Sequence, residues 1–343
     1  MAVNVRQEAL IRKNDLIREG LRGLLTRMSV YHQSEKKNII MISSGRTGST
    51  FLMESMGAEP GLRFVNEPFT KKHISKTDLK IFPKFRDIPT GGKYYSLNPE
   101  ERQGVNRFLE NFKYVRRAGP YNPLKSNFHF KSDRLIVKML TMNLVLDHFL
   151  DQVDKYQFMW LVRHPMPTII SSLPMKLRRE TIDLKSYVEE ESFREAYLTD
   201  AQADFLIRTH ESGAEHEVWA AEWALDHVVP LRMYKGENHN DMFLISYEQL
   251  VVNPELVIGR MAKELQLDRP DLILKELRVP SASTRSDKMA EQKNFDPNNK
   301  IKAWRKKTTP EMEGDIFDII EFFGIDLYAR GRDVLNEEYL LAE

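Results

Sequence analysis

The stretch Gly45-Arg46-Thr47-Gly48-Ser49-Thr50 gathers two glycines, three hydroxyls and a guanidinium into six positions. Between a strand and a helix, such a loop offers backbone N–H groups with no helical partner and faces the positive end of the helix dipole. Together these hold the oxygens of a phosphate or sulfate. Gly45 and Gly48 would let the backbone approach the anion, Ser49 and Thr50 would donate from hydroxyls and helix-start amides, and Arg46 would add positive charge. A serine-capped helix with no ligand uses the same residues. The GxxxxGK[ST] loop of nucleotide triphosphatases is missing, because no lysine follows Gly48 and no acidic magnesium partner stands out.

A second anion site is suggested by Leu161-Val162-Arg163-His164-Pro165, with Ser171 eight residues beyond Arg163. A guanidinium at a strand end and a hydroxyl two turns into the next helix can meet on one phosphate. A salt bridge under the sheet edge is the competing account of Arg163. Glu67 in Phe64-Val65-Asn66-Glu67-Pro68-Phe69 is a carboxylate flanked by apolar residues. A carboxylate among apolar neighbours holds its proton toward neutral pH, which suits a general base. A capping or salt-bridged glutamate is the plainer alternative, and His73 and His129 are reserve bases.

Taken together, these residues resemble the sulfotransferase superfamily that uses 3′-phosphoadenosine 5′-phosphosulfate (PAPS) and releases adenosine 3′,5′-bisphosphate (PAP). Arg46-Thr47-Gly48-Ser49-Thr50-Phe51 is similar to its phosphosulfate loop, with arginine where cytosolic members carry lysine, as in bacterial and carbohydrate-modifying branches. The resemblance implies that Phe51 stacks on adenine and that Arg163 and Ser171 hold the 3′-phosphate. It also implies that Lys138 lies beside the reaction centre, a position a buried structural lysine would also explain. Cytosolic members place a catalytic histidine two residues after that lysine. Here the position is Leu140, so the base passes to Glu67, as in branches that put a carboxylate shortly after the loop's helix. Ser283-Thr284-Arg285-Ser286-Asp287 and Lys300-Ile301-Lys302-Ala303-Trp304-Arg305-Lys306-Lys307 resemble the carboxy-terminal loop that closes over the nucleotide, which implies binding roles for Arg285, Lys302 and Trp304; a solvated basic turn is the competing account. Ser246-Tyr247-Glu248 followed by Asn253-Pro254 marks the fold.

These residues need a scaffold. Asn38-Ile39-Ile40-Met41-Ile42, Leu135 to Leu140, Phe158 to Val162 and Met242 to Ile245 are apolar runs without alternation, as expected of central strands in a parallel sheet. Residues 184 to 229 read as mostly helical. The repeated strand, loop and helix predict a three-layer αβα fold with a mostly parallel central sheet and a P-loop-like turn at its carboxyl ends. One domain is expected over 1–343. Amphipathic helices over 1–34 would serve the core or a homodimer, and the polar, proline-containing stretch 71–130 would form a lid or acceptor-binding insertion.

Composition narrows the function classes. With 51 basic and 50 acidic residues, the overall charge calls for neither nucleic acid nor an anionic membrane. The absence of cysteine excludes disulfides, thiolate catalysis and cysteine-bound metals, and the nine histidines lack HExxH spacing, so no metal is expected. No run approaches the roughly 18 apolar residues of a membrane span, and the charged amino terminus lacks a signal peptide's core, so the expected location is cytoplasmic. The expected activity is sulfuryl transfer from PAPS to a hydroxyl or amine of a small acceptor: a glycoside, a lipid head group or a polar natural product such as a toxin alkaloid. A nucleotide-dependent kinase and a non-catalytic nucleotide-binding protein are the alternatives.

Overall fold

A computed structural model describes residues 30–32, 34–70, 93–110, 129–150, 155–175, 182–236, 242–278 and 297–341, with positions 17, 20, 21, 24 and 28. Seven strands are described: β1 (Val30–Tyr31), β2 (Asn38–Ser43), β3 (Leu62–Asn66), β4 (Lys131–Ser132), β5 (Arg134–Met139), β6 (Tyr156–Val162) and β7 (Met242–Ser246). Five of them form one sheet in the order β3-β5-β2-β6-β7, while β1 and β4 make a separate short pair. Every pairing is parallel. Parallel strands need crossovers, and the crossover helices cover both faces, which is why β2 and β5 are buried at every position. Alternate residues enter opposite layers: Ile40, Ile42 and Val137 face one core, and Ile39, Met41 and Ile136 the other. The α/β expectation thus holds, with a sheet that is parallel throughout.

The four expected strands are present. β3 is an addition: Arg63 interrupts its apolar run, yet Arg63 itself is buried, 6% exposed. Between β6 and β7 lie the helices Leu184–Glu189, Glu191–Tyr197, Asp200–Ser212 and Glu215–Lys235, the last packed on Pro165–Ser172 and Pro310–Phe322. Local signals set their starts: Thr199 and Gln202 form a capping box, and Pro165, Pro254 and Pro310 open helices where a missing N–H costs nothing. Within 71–130, residues 93–110 build core, with Tyr94, Leu97, Val105 and Leu109 buried and Pro99–Glu110 helical. The rest of that stretch, apart from 129 and 130, lies outside the described residues. Positions 17, 20, 21, 24 and 28 are helical, and the other residues of 1–29 lie outside the description. Among the described residues no helix is long and apolar enough to cross a membrane.

The interior holds charge. Lys93 pairs with Asp226 and with Glu222 at 2.5 Å, and Glu222 also accepts the Tyr187 hydroxyl at 2.9 Å. Burial pushes Asp226 up to about 7, because Lys93 is shared with Glu222 and offsets only part of the cost. Burial likewise pushes His164 down to about 3 and His227 down to about 4. In the unfolded chain the imidazoles take up protons near 6.5 and the carboxyl releases its own near 3.8. Between about pH 4.5 and 6 the unfolded chain therefore binds a proton at each histidine, and the folded chain one at Asp226. Unfolding free energy should fall on acidification through this window from these groups, because the unfolded chain binds more protons. Asp226→Asn removes the folded-state proton and should steepen that fall. Denaturant titrations across this window check it; equal slopes in the two proteins would refute the assignment.

Candidate functional site

In the sheet order, β2 is the turning point: β3 and β5 lie on one side, β6 and β7 on the other. Crevices at the carboxyl ends of such strands are where α/β sheets take ligands. The loop after β2 leads directly into the Ser49–Met56 helix, whose first turn carries no acidic residue to satisfy its N–H groups. Gly48 has φ 88°, and a Cβ there would lie 2.6 Å from the Tyr247 ring, so only glycine fits. Arg46 is also left-handed, with φ 65°. A non-glycine residue in that region costs of order 1–3 kcal/mol and needs surroundings that hold it.

The partners come from β6 and the helix after it. Arg163 Nη1 donates to the Arg46 carbonyl at 2.8 Å, and Arg46 Nε donates to Ser171 Oγ at a long 3.4 Å. Ser171 donates in turn to the Thr168 carbonyl at 2.9 Å. The Arg163 guanidinium lies over the Tyr247 ring at 4.5 Å, and its Nε is buried without a hydrogen-bond partner. Arg46, Arg163 and Ser171 thus form one cluster joining the loop to the end of β6. Behind the loop, Thr47 bonds Ser43 Oγ and donates to the Ser44 carbonyl at 3.0 Å, while Asn143 Nδ2 donates to the Ser43 carbonyl at 3.2 Å. Ser44 Oγ is buried without a partner.

On the other side of the loop, Lys138 Nζ donates to Thr50 Oγ1 at 3.1 Å and to Glu67 Oε1 at 2.9 Å. The Lys138 side chain is 2% exposed and that of Glu67 15%. Register brings them together: Asn66 pairs with Lys138 across β3 and β5, and the Glu67 N–H donates to the Lys138 carbonyl at 3.0 Å. Glu67 follows the strand with φ 47°, a second strained residue at this edge. Its surroundings correct the apolar pocket expected from its neighbours in sequence, because the Lys138 ammonium balances the carboxylate directly.

Of the carboxy-terminal residues, Trp304 lies deeper than an open stacking face would. Trp304 is 3% exposed and stacks on His164, with centroids 5.2 Å apart and planes 20° from parallel. It therefore packs behind Arg163 in the core and presents no open face to a nucleotide. Lys302 is exposed, and Lys300 instead stands over the Phe51 ring at 5.7 Å and the Tyr247 ring at 5.9 Å. Tyr247, read as a marker of the fold, proves to touch both Gly48 and Arg163. Arg285 and His73 lie outside the described residues. His129 contacts the Gly57 carbonyl at 3.2 Å, at the far end of the Ser49–Met56 helix, about 12 Å from the loop at 1.5 Å per residue. Among the described residues no cluster of three or more histidine or acidic side chains is placed to hold a metal.

The chain thus has a three-layer α/β fold with a phosphate-loop-like turn at the switch point of a parallel sheet. No protein-family model matches it, and neither does any curated protein. Among solved structures it is similar to the sulfotransferase domain of the Synechococcus olefin synthase, with 17% identity, 87% of this chain and 98% of that one covered, and a TM-score of 0.47. It is also similar to a sulfotransferase from Alicyclobacillus acidocaldarius, with 14% identity, coverage of 86% and 98%, and a TM-score of 0.39. A third is a mouse sulfotransferase complexed with PAP, with 13% identity, coverage of 84% and 84%, and a TM-score of 0.40.

Proposed function

We propose that the chain is a sulfotransferase that moves the sulfuryl group of PAPS to a hydroxyl or amine of a small acceptor. The observation that carries this reading is the meeting of the glycine loop, Arg163 and Ser171 on one side with the Glu67–Lys138–Thr50 chain on the other. The donor set suits a nucleotide with anionic groups at two positions: free N–H groups and Arg46 at the helix start, and a second guanidinium with a buried, unpartnered Nε beside it. Phe51, half-buried beside the loop with Lys300 over its ring, supplies flat apolar surface for a base.

In this reading PAPS supplies an activated sulfur whose bond to the 5′-phosphate oxygen breaks as the acceptor's bond to sulfur forms. Glu67 takes the acceptor's proton. Lys138 holds the Glu67 carboxylate and the Thr50 hydroxyl in register with each other. The loop N–H groups and Arg46 balance the charge that grows on the leaving phosphate, so most of the rate comes from positioning and electrostatics.

The test is thermal unfolding with and without PAP, repeated with a chelator. At one hundred times Kd the ligand should add about 2.7 kcal/mol and raise Tm by several degrees. The chelator should change nothing. No rise at saturating PAP would overturn the reading, and a rise seen only with ATP and magnesium would point to a kinase.

A further inference from the structure

Glu248 has no part in the roles assigned above, yet it is 1% exposed at the start of the Tyr247–Val252 helix. A buried carboxylate is expensive unless its oxygens are satisfied. Oε1 accepts the backbone N–H of His164 at 3.0 Å, and Oε2 accepts the Ser246 hydroxyl at 3.0 Å and the Tyr328 hydroxyl at 2.8 Å. The peptide held by Oε1 joins His164 to Arg163. His164 is gripped from its ring as well: Nδ1 accepts the Met166 N–H at 3.2 Å, which leaves the proton on Nε2 to be donated to the Arg332 carbonyl at 2.9 Å. Segment 328–332 therefore reaches the residue after Arg163 by two routes, through Glu248 and through the imidazole.

Arg163 needs such support. Its Nε has no partner and Nη1 is spent on the Arg46 carbonyl, so the direction of its remaining N–H groups depends on its backbone and on the Tyr247 ring beneath it. Glu248 controls the first and is the chain neighbour of the second. Its charge also faces Arg163, which opposes the upward push of burial on the carboxyl.

We propose that Glu248 is a positioning residue that aims Arg163 at the second phosphate of the nucleotide, and that Tyr328 locks Glu248 from the carboxy-terminal segment. The inference rests on the sulfotransferase reading. It makes affinity for one phosphate depend on a phenol that touches no ligand. It also separates from simple electrostatics: deleting a buried negative charge beside an anion site would tighten binding if charge alone mattered, whereas loss of aim weakens it.

The experiment is calorimetric binding of PAP and of adenosine 5′-monophosphate to the full chain, wild type, Tyr328→Phe and Glu248→Gln, with unliganded Tm recorded for each. Wild type should prefer PAP. Tyr328→Phe should weaken PAP about three- to tenfold, the worth of one hydrogen bond, with the monophosphate weakened by a smaller factor and Tm within a few degrees. Glu248→Gln should cut the preference further. An unaltered preference in Tyr328→Phe, equal weakening of both ligands, or tighter PAP binding by Glu248→Gln would each overturn the positioning role while the wild-type preference stood. Should Glu248→Gln not fold, Tyr328→Phe decides alone. No PAP preference in wild type would instead remove the second-phosphate reading of Arg163, and this inference with it.

Discussion

Glu67→Gln should lower the transfer rate by about 10²- to 10⁴-fold, the range that a positioned general base contributes. The substitution is close to a pure test of proton acceptance. Glutamine's carbonyl oxygen can still receive the Lys138 hydrogen bond now made by Oε1 at 2.9 Å, and it meets the same left-handed backbone at φ 47° on equal terms. No residue of the nucleotide site is replaced, so PAP affinity should stay near wild type, whereas Tm should fall, because the Lys138 ammonium, 2% exposed, loses its counter-ion. Lys138→Met provides the contrast: it removes the link to both Glu67 and Thr50, so it should disturb the loop as well as the rate. Single-turnover transfer with saturating donor separates the two. A wild-type rate in Glu67→Gln would remove it as the base and direct the search to the acceptor side of the cleft.

Which parts of this site could be read from sequence follows from the range of the interactions involved. The strands were legible where both faces are buried, since runs such as Ile39 to Ile42 contain no polar residue. β3 was not, because Arg63 within it reads as solvent-facing although its guanidinium is enclosed. The loop was legible because its residue types belong to one short turn. That Arg163 and Ser171 stand on the same side of the loop was legible because eight residues is close to two helical turns, and in the structure each meets Arg46. The Glu67–Lys138 pair depends on a strand register spanning residues far apart in the chain, which no local pattern encodes. Trp304 shows a related limit: an aromatic residue looks the same whether it faces a ligand or the core, and only the position of His164 behind Arg163 puts it in the core. Glu248, in turn, is a charged residue in a short motif, and its burial becomes apparent only when Tyr328 is brought to it from 80 residues away.

Arg163→Ala should weaken PAP by roughly 10- to 100-fold and abolish most of the nucleotide-induced rise in Tm. Charge-assisted hydrogen bonds are worth about 1.5–3 kcal/mol, and the guanidinium is the strongest donor at this strand end. The loss should reach beyond the phosphate it is proposed to hold. Arg163 also secures the carbonyl of Arg46, a residue with φ 65° whose conformation needs external support. Adenosine 5′-monophosphate should therefore weaken too, by a smaller factor, as the loop relaxes. Arg163→Lys distinguishes charge from geometry: a lysine keeps the charge but has no planar fork to serve Arg46, Tyr247 and a phosphate at once. It should recover only part of the PAP affinity and little of the loop effect. Unchanged PAP affinity in Arg163→Ala would mean that the second anion site lies elsewhere and that this arginine only braces the loop.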